Sequence, residues 1–353
     1  MKVLFTGGGT LGPVTPLIAI WRQMKHLEPE CEAFWVGTEK GQERSIVEGE
    51  RIPYFSMHVA KLPRYFSFDT VRFPLAYWKA TQQAKRLLEK IRPDVVVSVG
   101  GFMGVPLIRQ ASKQGIPCAI HQLDAEPGLA NRLVAKKCKS VTTSFSYDQP
   151  AFPGVESEQL QTPCRFSKNT INKTKTSAKL RLFVLGGGTG AIGLNELIAK
   201  SLPKLLKIAD ITHLTGIGKG AEHQKKIDGY SCNEFFNEHQ MLLAYQSADI
   251  VIARAGLGTI SECAALKKAT ILVPMPNSHQ EKNVAFLGNA VESIVQNAED
   301  ASEQLIALIQ KKLSKPQDRL LIGLALHEAL PTDDGSALAK RWIALIPEKA
   351  NNK

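Results

Sequence analysis

Apolar runs recur through the first half of the chain, at residues 3–5, 33–36, 54–57, 95–99, 118–120 and 141–143, and the stretches between them carry apolar residues at helical spacing. Short runs without polar alternation suit strands covered on both faces, and strands alternating with helices form a parallel sheet. The rhythm breaks between Ser144 and Ser177, where prolines, serines and the polar stretch 168–179 intervene. It resumes at 182–185, 211–213, 250–253 and 270–273. This pattern predicts two α/β domains, 1–163 and 164–334, with the interdomain connection in that break. Residues 335–346 have helical spacing at Leu338, Trp342, Leu345 and Ile346. They predict a C-terminal helix, within about 335–353, that packs back on the first domain.

A glycine-rich turn occurs twice: Thr6-Gly7-Gly8-Gly9-Thr10-Leu11-Gly12 and Leu185-Gly186-Gly187-Gly188-Thr189-Gly190. Each follows an apolar run and precedes helical spacing, which aims backbone N–H groups and the positive end of a helix dipole at a phosphate. The repeat points to two halves serving one anionic ligand. Gly7, Gly9 and Gly12 also fit the G-x-G-x-x-G spacing of a dinucleotide site. Such a site wants an acidic residue at the end of the second strand, but that run ends Trp35-Val36-Gly37-Thr38 and Glu39 comes late. An NAD-dependent oxidoreductase is therefore the weaker reading, and a tight turn without a ligand is another.

Composition narrows the class. The 353 residues, 44% hydrophobic and 22% charged, suffice to bury two cores. Cys31, Cys118, Cys138, Cys164, Cys232 and Cys263 form no C-x-x-C pair, which fits reduced thiols inside a cell. Met1-Lys2 leads straight into a short apolar run and glycines, so no secretory leader is expected. The uncharged stretch 95–108 is broken by glycines and a proline and falls short of the ~20 residues a membrane-spanning helix needs. A net charge of +11 favours an anionic partner, whether membrane surface, nucleic acid or phosphorylated substrate.

The second half supplies more specific residues. Residues 253–262, Ala-Arg-Ala-Gly-Leu-Gly-Thr-Ile-Ser-Glu, follow the run at 250–252. A small-residue turn opening a helix exposes N–H donors to a diphosphate, and Glu262, one helical turn on, can accept from ribose hydroxyls. The plain alternative is a capped helix with a solvated glutamate. Gln280 and Asn283 share a helix face at i, i+3, where both amides would point at one ligand; alone, each reads as a surface polar residue. No Asp-x-Asp is present to hold a divalent ion on a diphosphate, so leaving-group charge would fall on backbone amides and a cation, and no metal or cofactor is expected.

With both glycine turns, these segments resemble the bacterial MurG family, the UDP-GlcNAc transferases that complete the lipid II disaccharide. Val97-Ser98-Val99-Gly100-Gly101-Phe102 is similar to the family's central glycine turn, and Ile116 through His121-Gln122-Leu123-Asp124 to its His-Glu-Gln-Asn loop. Thr162-Pro163-Cys164-Arg165 is similar to its Asn-Pro-x-Arg linker and Gly216-Ile217-Gly218-Lys219-Gly220 to its Gly-Lys-Gly turn. The similarity runs in order over residues 1–290.

The resemblance implies a GT-B type fold, two doubly wound Rossmann-like domains facing a cleft. It implies inverting transfer of GlcNAc from UDP-GlcNAc to the MurNAc 4-hydroxyl of undecaprenyl-diphosphate-MurNAc-pentapeptide, without a protein-held metal. Domain 1–163 would take the acceptor and face the membrane, and domain 164–334 would hold the UDP-sugar. Arg165 is implied near the uracil and the domain junction, Phe236 beside the uracil, Glu262 on the ribose, and Gln280 with Asn283 on sugar hydroxyls. Gly188 and Thr189, and Leu257, Gly258 and Thr259 running on to Ile260 and Ser261, would face the diphosphate. Thr10, Leu11 and Gly12 would face the cleft.

The chain also departs from the family pattern. The family's first turn reads Gly-Gly-Thr-Gly-Gly-His, its histidine proposed as the base; here Pro13 stands in that place and Leu11 replaces a glycine. Proline cannot accept a proton. Asp124, where the family has asparagine, becomes the first candidate base and a donor-site residue, and His121 the second candidate base. Gly188 and Thr189 replace a serine and a glutamine near the diphosphate. A related UDP-sugar transferase with another acceptor, or a binding module without turnover, are the alternatives.

Residues 58–92 hold Lys61, Arg64, Arg72, Lys79, Lys85, Arg86, Lys90 and Arg92 against Asp69 and Glu89, with Phe66, Phe68, Phe73, Tyr77 and Trp78 interleaved. Cations beside exposed aromatics suit an anionic leaflet, each contributing ~1 kcal/mol near the surface. The family has its membrane-facing patch in this region. Phe73, Tyr77 and Trp78 are therefore expected to face the membrane, peripherally and on its cytoplasmic side; aromatics in the core of an amphipathic helix are the alternative. No helix-turn-helix or zinc spacing accompanies the charge, which disfavours nucleic acid.

Overall fold

The structure, a computed structural model, describes residues 1–9, 11–39, 41, 43–59, 68–166, 179–188, 190–220 and 227–347, without the side chains of 68–73. It divides into two compact units. The first comprises Met1–Leu123, Pro127–Arg165 and Asp334–Lys353; the second comprises Asp124–Glu126 and Phe166–Asp333.

The first unit contains strands β1 (Lys2–Thr6), β2 (Glu32–Gly37), β3 (Tyr54–Ser56), β4 (Val95–Ser98), β5 (Cys118–Gln122), β6 (Ser140–Thr143) and β7 (Glu158–Gln159), followed by the short β8 (Thr162–Pro163). The first seven form one sheet in the order β3-β2-β1-β4-β5-β6-β7, every pairing parallel. The first unit thus runs on into the 144–177 stretch read as the connection, which supplies the edge strand β7. Helices α1 (Val14–Leu27), α2 (Glu43–Gly49), α3 (Phe68–Ile91), α4 (Gly104–Lys113) and α5 (Leu129–Val134) alternate with the strands.

Alternation along β1 divides the core. Leu4 joins Val96, Ile120, Leu88 of α3 and Leu107 and Ile108 of α4 in one cluster. Phe5 stacks on Trp35 at 5.9 Å and meets the edge of Trp21 of α1 at 6.1 Å. Burying each such side chain fully contributes about 1.5–3 kcal/mol.

In the second unit, β9 (Leu180–Leu185), β10 (Ala209–Leu214), β11 (Tyr230–Asn233), β12 (Ile250–Ala253), β13 (Ala269–Leu272) and β14 (Glu292–Ser293) form a parallel sheet in the order β11-β10-β9-β12-β13-β14. Its helices are α6 (Ile192–Leu205), α7 (Glu238–Ser247), α8 (Leu257–Ala265), α9 (His279–Leu287), α10 (Ala301–Ala307) and α11 (Pro316–Ala329). Leu182, Val184, Ile250 and Ile252 pack on Leu194 and Ile198 of α6 and Leu305 of α10. Phe183 meets Tyr245 of α7 edge-on at 5.2 Å. Asn237 and Gln240 close a reciprocal capping box that starts α7, and Pro316 occupies the first turn of α11. The last helix, α12 (Ser336–Ile343), belongs to the first unit, packs on α1 and buries Trp342.

Because the strands of each sheet run one way, the loops leaving their carboxyl ends share an edge, where ligands of such sheets bind. In the first unit that edge carries residues 7–9, Thr38, Gly100 and Gly101. In the second it carries residues 186–188, 190, 215–219, 254–256 and 273–274.

Candidate functional site

The second glycine turn is shaped by a close approach. Gly190 has φ +70°, and a Cβ on it would lie 2.2 Å from the Thr215 carbonyl oxygen. The Lys219 ammonium donates to the Gly190 carbonyl at 3.2 Å, which brings a cation against the turn. Asn195 Nδ2 donates to the Thr215 carbonyl at 3.2 Å, and its Oδ1 pairs with His213 Nε2 at 3.1 Å. His213 Nδ1 pairs with the Tyr230 hydroxyl at 2.8 Å. This buried ladder ties the loop after β10 to α6.

The loops after β12 and β13 are held by Arg254. Its Nη1 donates to the carbonyls of Val273 at 2.9 Å and Pro274 at 3.1 Å, and its Nη2 donates to Gln296 Oε1. Gln296 lies against Gly193 in the first turn of α6, where a Cβ would come within 2.5 Å of it. Burial pulls the Arg254 pKa below the usual guanidinium value. Sequence reasoning quoted Arg254 without a role; its signal is a lone arginine between a strand and a small-residue turn.

No side chain caps the start of α8 at Gly256, so this helix opens with backbone N–H groups and its dipole toward the carboxyl edge. Glu262 follows on α8, 5% exposed, and its Oε2 accepts from the Tyr245 hydroxyl at 2.8 Å. Tyr245 was missed from sequence; it is wedged between Phe166 and Phe183, which fixes the direction of its hydroxyl. Phe236 stacks on Phe183 at 6.3 Å. Leu257 and Ile260 are core side chains, and the Ser261 hydroxyl turns back to the Gly258 carbonyl at 2.8 Å. Only the backbone at these three positions faces the role that resemblance gave them, while Gly258 and the half-buried Thr259 lie in the opening turn.

Gln280 and Asn283 do not converge. Gln280 Oε1 accepts from the Met275 N–H at 2.9 Å, closing the loop that Ser278 caps. Asn283 is fully buried: its Nδ2 donates to Asp124 Oδ1 and the Ala255 carbonyl, each at 3.0 Å, and its Oδ1 accepts from the Ala125 N–H at 2.9 Å. The pairing of both amides on one ligand is thereby corrected, since the Asn283 amide is spent on protein groups. His279 Nε2 lies 3.9 Å from Asp124 Oδ1, and the Asp124 side chain keeps 33% of its surface.

The second candidate base is corrected as well. His121 is fully buried, with Nδ1 2.9 Å from Thr142 Oγ1 and Nε2 2.9 Å from Ser144 Oγ, and desolvation lowers its pKa to about 3. A neutral ring engaged at both nitrogens beneath the sheet edge holds structure and receives no substrate proton. Its neighbour Gln122 accepts at Oε1 from Asn131 Nδ2 at 2.7 Å and from the Gly128 N–H at 3.2 Å. Pro13 takes the position before α1, and the Leu11 carbonyl accepts from the Val14 N–H at 3.1 Å, while Gly12 is exposed. Gly188 is exposed in the second turn, and Arg165, half-buried, ends the Pro127–Arg165 segment of the first unit. Thr10, Thr189 and the Phe73 side chain lie outside the described residues.

On α3, Trp78 and Leu75 are each 58% exposed. Tyr77 instead packs on the core cluster containing Ala84 and Leu88, which corrects its assignment as a membrane-facing ring. No helix among the described residues is long and apolar enough to cross a membrane.

Residues 3–143 match the glycosyltransferase family 28 N-terminal domain, and residues 181–321 match the glycosyltransferase family 28 C-terminal domain. The chain belongs to glycosyltransferase family 28. It is 33% identical over 338 residues to the UDP-N-acetylglucosamine–N-acetylmuramyl-(pentapeptide) pyrophosphoryl-undecaprenol N-acetylglucosamine transferase of Lachnospira eligens, covering 93% of this chain and 95% of the relative. The protein of the same name from Lachnoclostridium phytofermentans is 37% identical over 281 residues, 78% of either chain. Among solved structures, MurG of Acinetobacter baumannii aligns with a TM-score of 0.74 at 23% identity, over 97% of this chain and 99% of that one. A glycotransferase of kitacinnamycin aligns with a TM-score of 0.71 at 14% identity, over 98% and 99%. The fold is thus GT-B, and its two doubly wound units are the N- and C-terminal domains of a family 28 glycosyltransferase.

Proposed function

We propose that this glycosyltransferase moves GlcNAc from UDP-GlcNAc to the MurNAc 4-hydroxyl of undecaprenyl-diphosphate-MurNAc-pentapeptide, with inversion, in peptidoglycan synthesis. The single observation that carries the reading is the second unit's carboxyl edge, where Glu262, oriented by Tyr245, follows the uncapped start of α8 and the Lys219-backed glycine turn. The names of the 33–37% identical relatives supply donor and acceptor.

Glu262 binds the ribose hydroxyls, and Phe236 and Arg165 sit at the uracil. The amides of the 186–190 turn and of α8 receive the diphosphate, with Lys219 adding positive charge. The acceptor 4-hydroxyl attacks the anomeric carbon as the bond to the β-phosphate oxygen breaks, and UDP leaves with that electron pair. The hydroxyl proton passes to the Asp124 carboxylate, whose direction Asn283 sets. Preorganised donors at the leaving diphosphate are a large part of the acceleration. The 1–163 domain takes the acceptor, and exposed Trp78 and Leu75 beside Lys79 and Arg86 dock it peripherally on the anionic cytoplasmic leaflet.

The test is UDP release from UDP-GlcNAc by purified protein, with and without a short-chain soluble lipid I analogue, the disaccharide product followed by mass. Acceptor-dependent product is expected. Tight UDP-GlcNAc binding with no product from this acceptor would overturn the reading in favour of another acceptor or a binding module.

A further inference from the structure

Lys268 joins the helix that carries Tyr245 to the helix that carries Glu262. It lies between α8 and β13. Its backbone N–H donates to the carbonyl of Cys263, the residue after Glu262, at 2.9 Å. Its ammonium donates to the carbonyl of Gln246, the residue after Tyr245, at 3.2 Å, and to that of Ala248 at 3.0 Å. One residue thus holds the chain beside both partners of the 2.8 Å hydrogen bond from Tyr245 to Glu262.

The turn that presents Lys268 is pinned. α8 closes in a Schellman motif, the Lys267 N–H donating to the Ala264 carbonyl at 3.2 Å and the Lys268 N–H to Cys263. The left-handed position of that motif, most often glycine, is filled by Lys267 at φ +51°. From the other side α11 closes on it, where a Cβ on Gly323 would lie 2.1 Å from the Lys267 carbonyl oxygen.

The helix that Lys268 reaches has little other hold at its end. α7 buries only Met241, Ala244 and Tyr245 of its ten residues, and no basic residue of its own lies in the last turn. The last carbonyls of a helix lack partners within it and sit at the negative end of its dipole, so a cation supplied from outside suits them. Desolvation pulls the Lys268 pKa down to about 8, with Asp249 favouring the charge and Arg181 opposing it, which leaves a cation at neutral pH.

We propose that Lys268 is a positioning residue of the nucleotide site: by fastening the end of α7 to the end of α8 it keeps the Tyr245 hydroxyl on Glu262 and the carboxylate aimed at the ribose. The last step rests on the assignment of Glu262 to the ribose made above; the tie itself stands on the hydrogen bonds of Lys268.

The experiment is a calorimetric titration with UDP of the full chain, of Lys268→Met and Tyr245→Phe, and of the two combined. Methionine keeps an apolar stem and removes the ammonium. Each single variant should bind UDP about fivefold more weakly, and the double variant no more weakly than either, because both act through one hydrogen bond. In Lys268→Met the KM for UDP-GlcNAc should rise by the same factor with kcat within about twofold, as for a contact made alike in ground and transition states. In the unsubstituted protein, saturating UDP should slow amide hydrogen exchange at 244–248 and 266–268 together. That measurement needs no substitution and decides the matter if Lys268→Met does not fold.

Unchanged UDP affinity in Lys268→Met, losses that multiply to about 25-fold in the double variant, a fall in kcat at constant KM, or no response of 244–248 to UDP would each overturn the proposal. If Glu262→Ala binds UDP as the unsubstituted protein does, the ribose assignment fails instead. The tie is then judged by whether Lys268→Met speeds exchange at 244–248 without UDP.

Discussion

The buried amide of Asn283 donates to Asp124 Oδ1 at 3.0 Å, inside the second compact unit, and the same side chain accepts from the Ala125 N–H. Asn283 therefore fixes both the carboxylate and the backbone that carries it. Asp124→Asn should cut kcat by roughly 10²–10⁴-fold, the range for losing a general base. UDP affinity should stay within about twofold, the two variants being compared by single-turnover kinetics and UDP titration. Asn283→Ala should lower kcat too and, by leaving the Ala125 N–H and Ala255 carbonyl unpaired, cost about 1–3 kcal/mol of stability in a denaturant melt. A near-normal rate in Asp124→Asn would dismiss this residue as the base.

Glu262, proposed to contact the ribose, and Tyr245, whose hydroxyl it accepts from, can be tested separately. Glu262→Ala should weaken UDP binding by about tenfold or more, consistent with the loss of a charged acceptor for two hydroxyls. Tyr245→Phe keeps the ring between Phe166 and Phe183 and loses the 2.8 Å bond to Glu262, so its effect on UDP affinity should be smaller, near ~1 kcal/mol. Equal UDP affinity in Glu262→Ala and the unsubstituted protein would remove Glu262 from the ribose.

Much of this frame was legible in the chain. The runs at 3–5, 95–99, 182–185 and 250–253 became β1, β4, β9 and β12 because strands buried on both faces must be continuously apolar. The edge strands β7, β11 and β14 left no such mark: Glu158–Gln159, Tyr230–Asn233 and Glu292–Ser293 are short and partly polar, and apart from the buried Tyr230 they are placed mainly by ladder hydrogen bonds. In the site, Glu262 could be picked out by its distance from a glycine turn. Asn283 could not be told from a ligand-facing amide, since i, i+3 spacing says which helix face a residue takes and not what covers that face.

His121 makes an acid-dependent prediction. Its pKa is about 3 in the folded chain and 6.5 for an unburied ring, so below pH 6.5 the unfolded chain takes up a proton that the folded ring refuses. Its linkage is therefore absent above pH 6.5 and removes stability as pH falls from 6.5 toward 3, by up to ~1.4 kcal/mol per pH unit. His121→Gln, which keeps a neutral hydrogen-bonding side chain, should flatten the decline in denaturant melts between pH 6.5 and 4.5. An unchanged slope would mean that other groups dominate acid unfolding.

Trp78 and Tyr77 are neighbours on α3 with opposite surroundings, one 58% exposed and the other packed on the core. Trp78→Ser with Leu75→Ser should lower binding to anionic vesicles while leaving the melting temperature nearly unchanged. Tyr77→Ser should do the reverse, losing about 2–4 kcal/mol of stability through lost burial. Sedimentation with phosphatidylglycerol vesicles, beside thermal melts, checks the pair. Full vesicle binding by the Trp78 and Leu75 double variant would remove this face from the docking surface.

Gly187 and Gly190 test whether the second glycine turn must keep its shape to hold the donor. Both have positive φ, +79° and +70°, so an alanine at either strains the backbone by roughly 1 kcal/mol. Beyond that they differ. A Cβ on Gly187 meets nothing within 4 Å, whereas one on Gly190 would lie 2.2 Å from the Thr215 carbonyl oxygen and 2.6 Å from Gly216 Cα. Backbone cannot swing aside as a flexible side chain would, so Gly190→Ala must push the turn away from the loop after β10 and disturb the Lys219 contact with it. Gly187→Ala should therefore bind UDP within a few-fold of the unsubstituted protein, and Gly190→Ala should lose at least about tenfold, more than the shared strain accounts for. Equal losses in the two variants would mean that backbone strain alone, and not the approach of the turn to Thr215, governs the site.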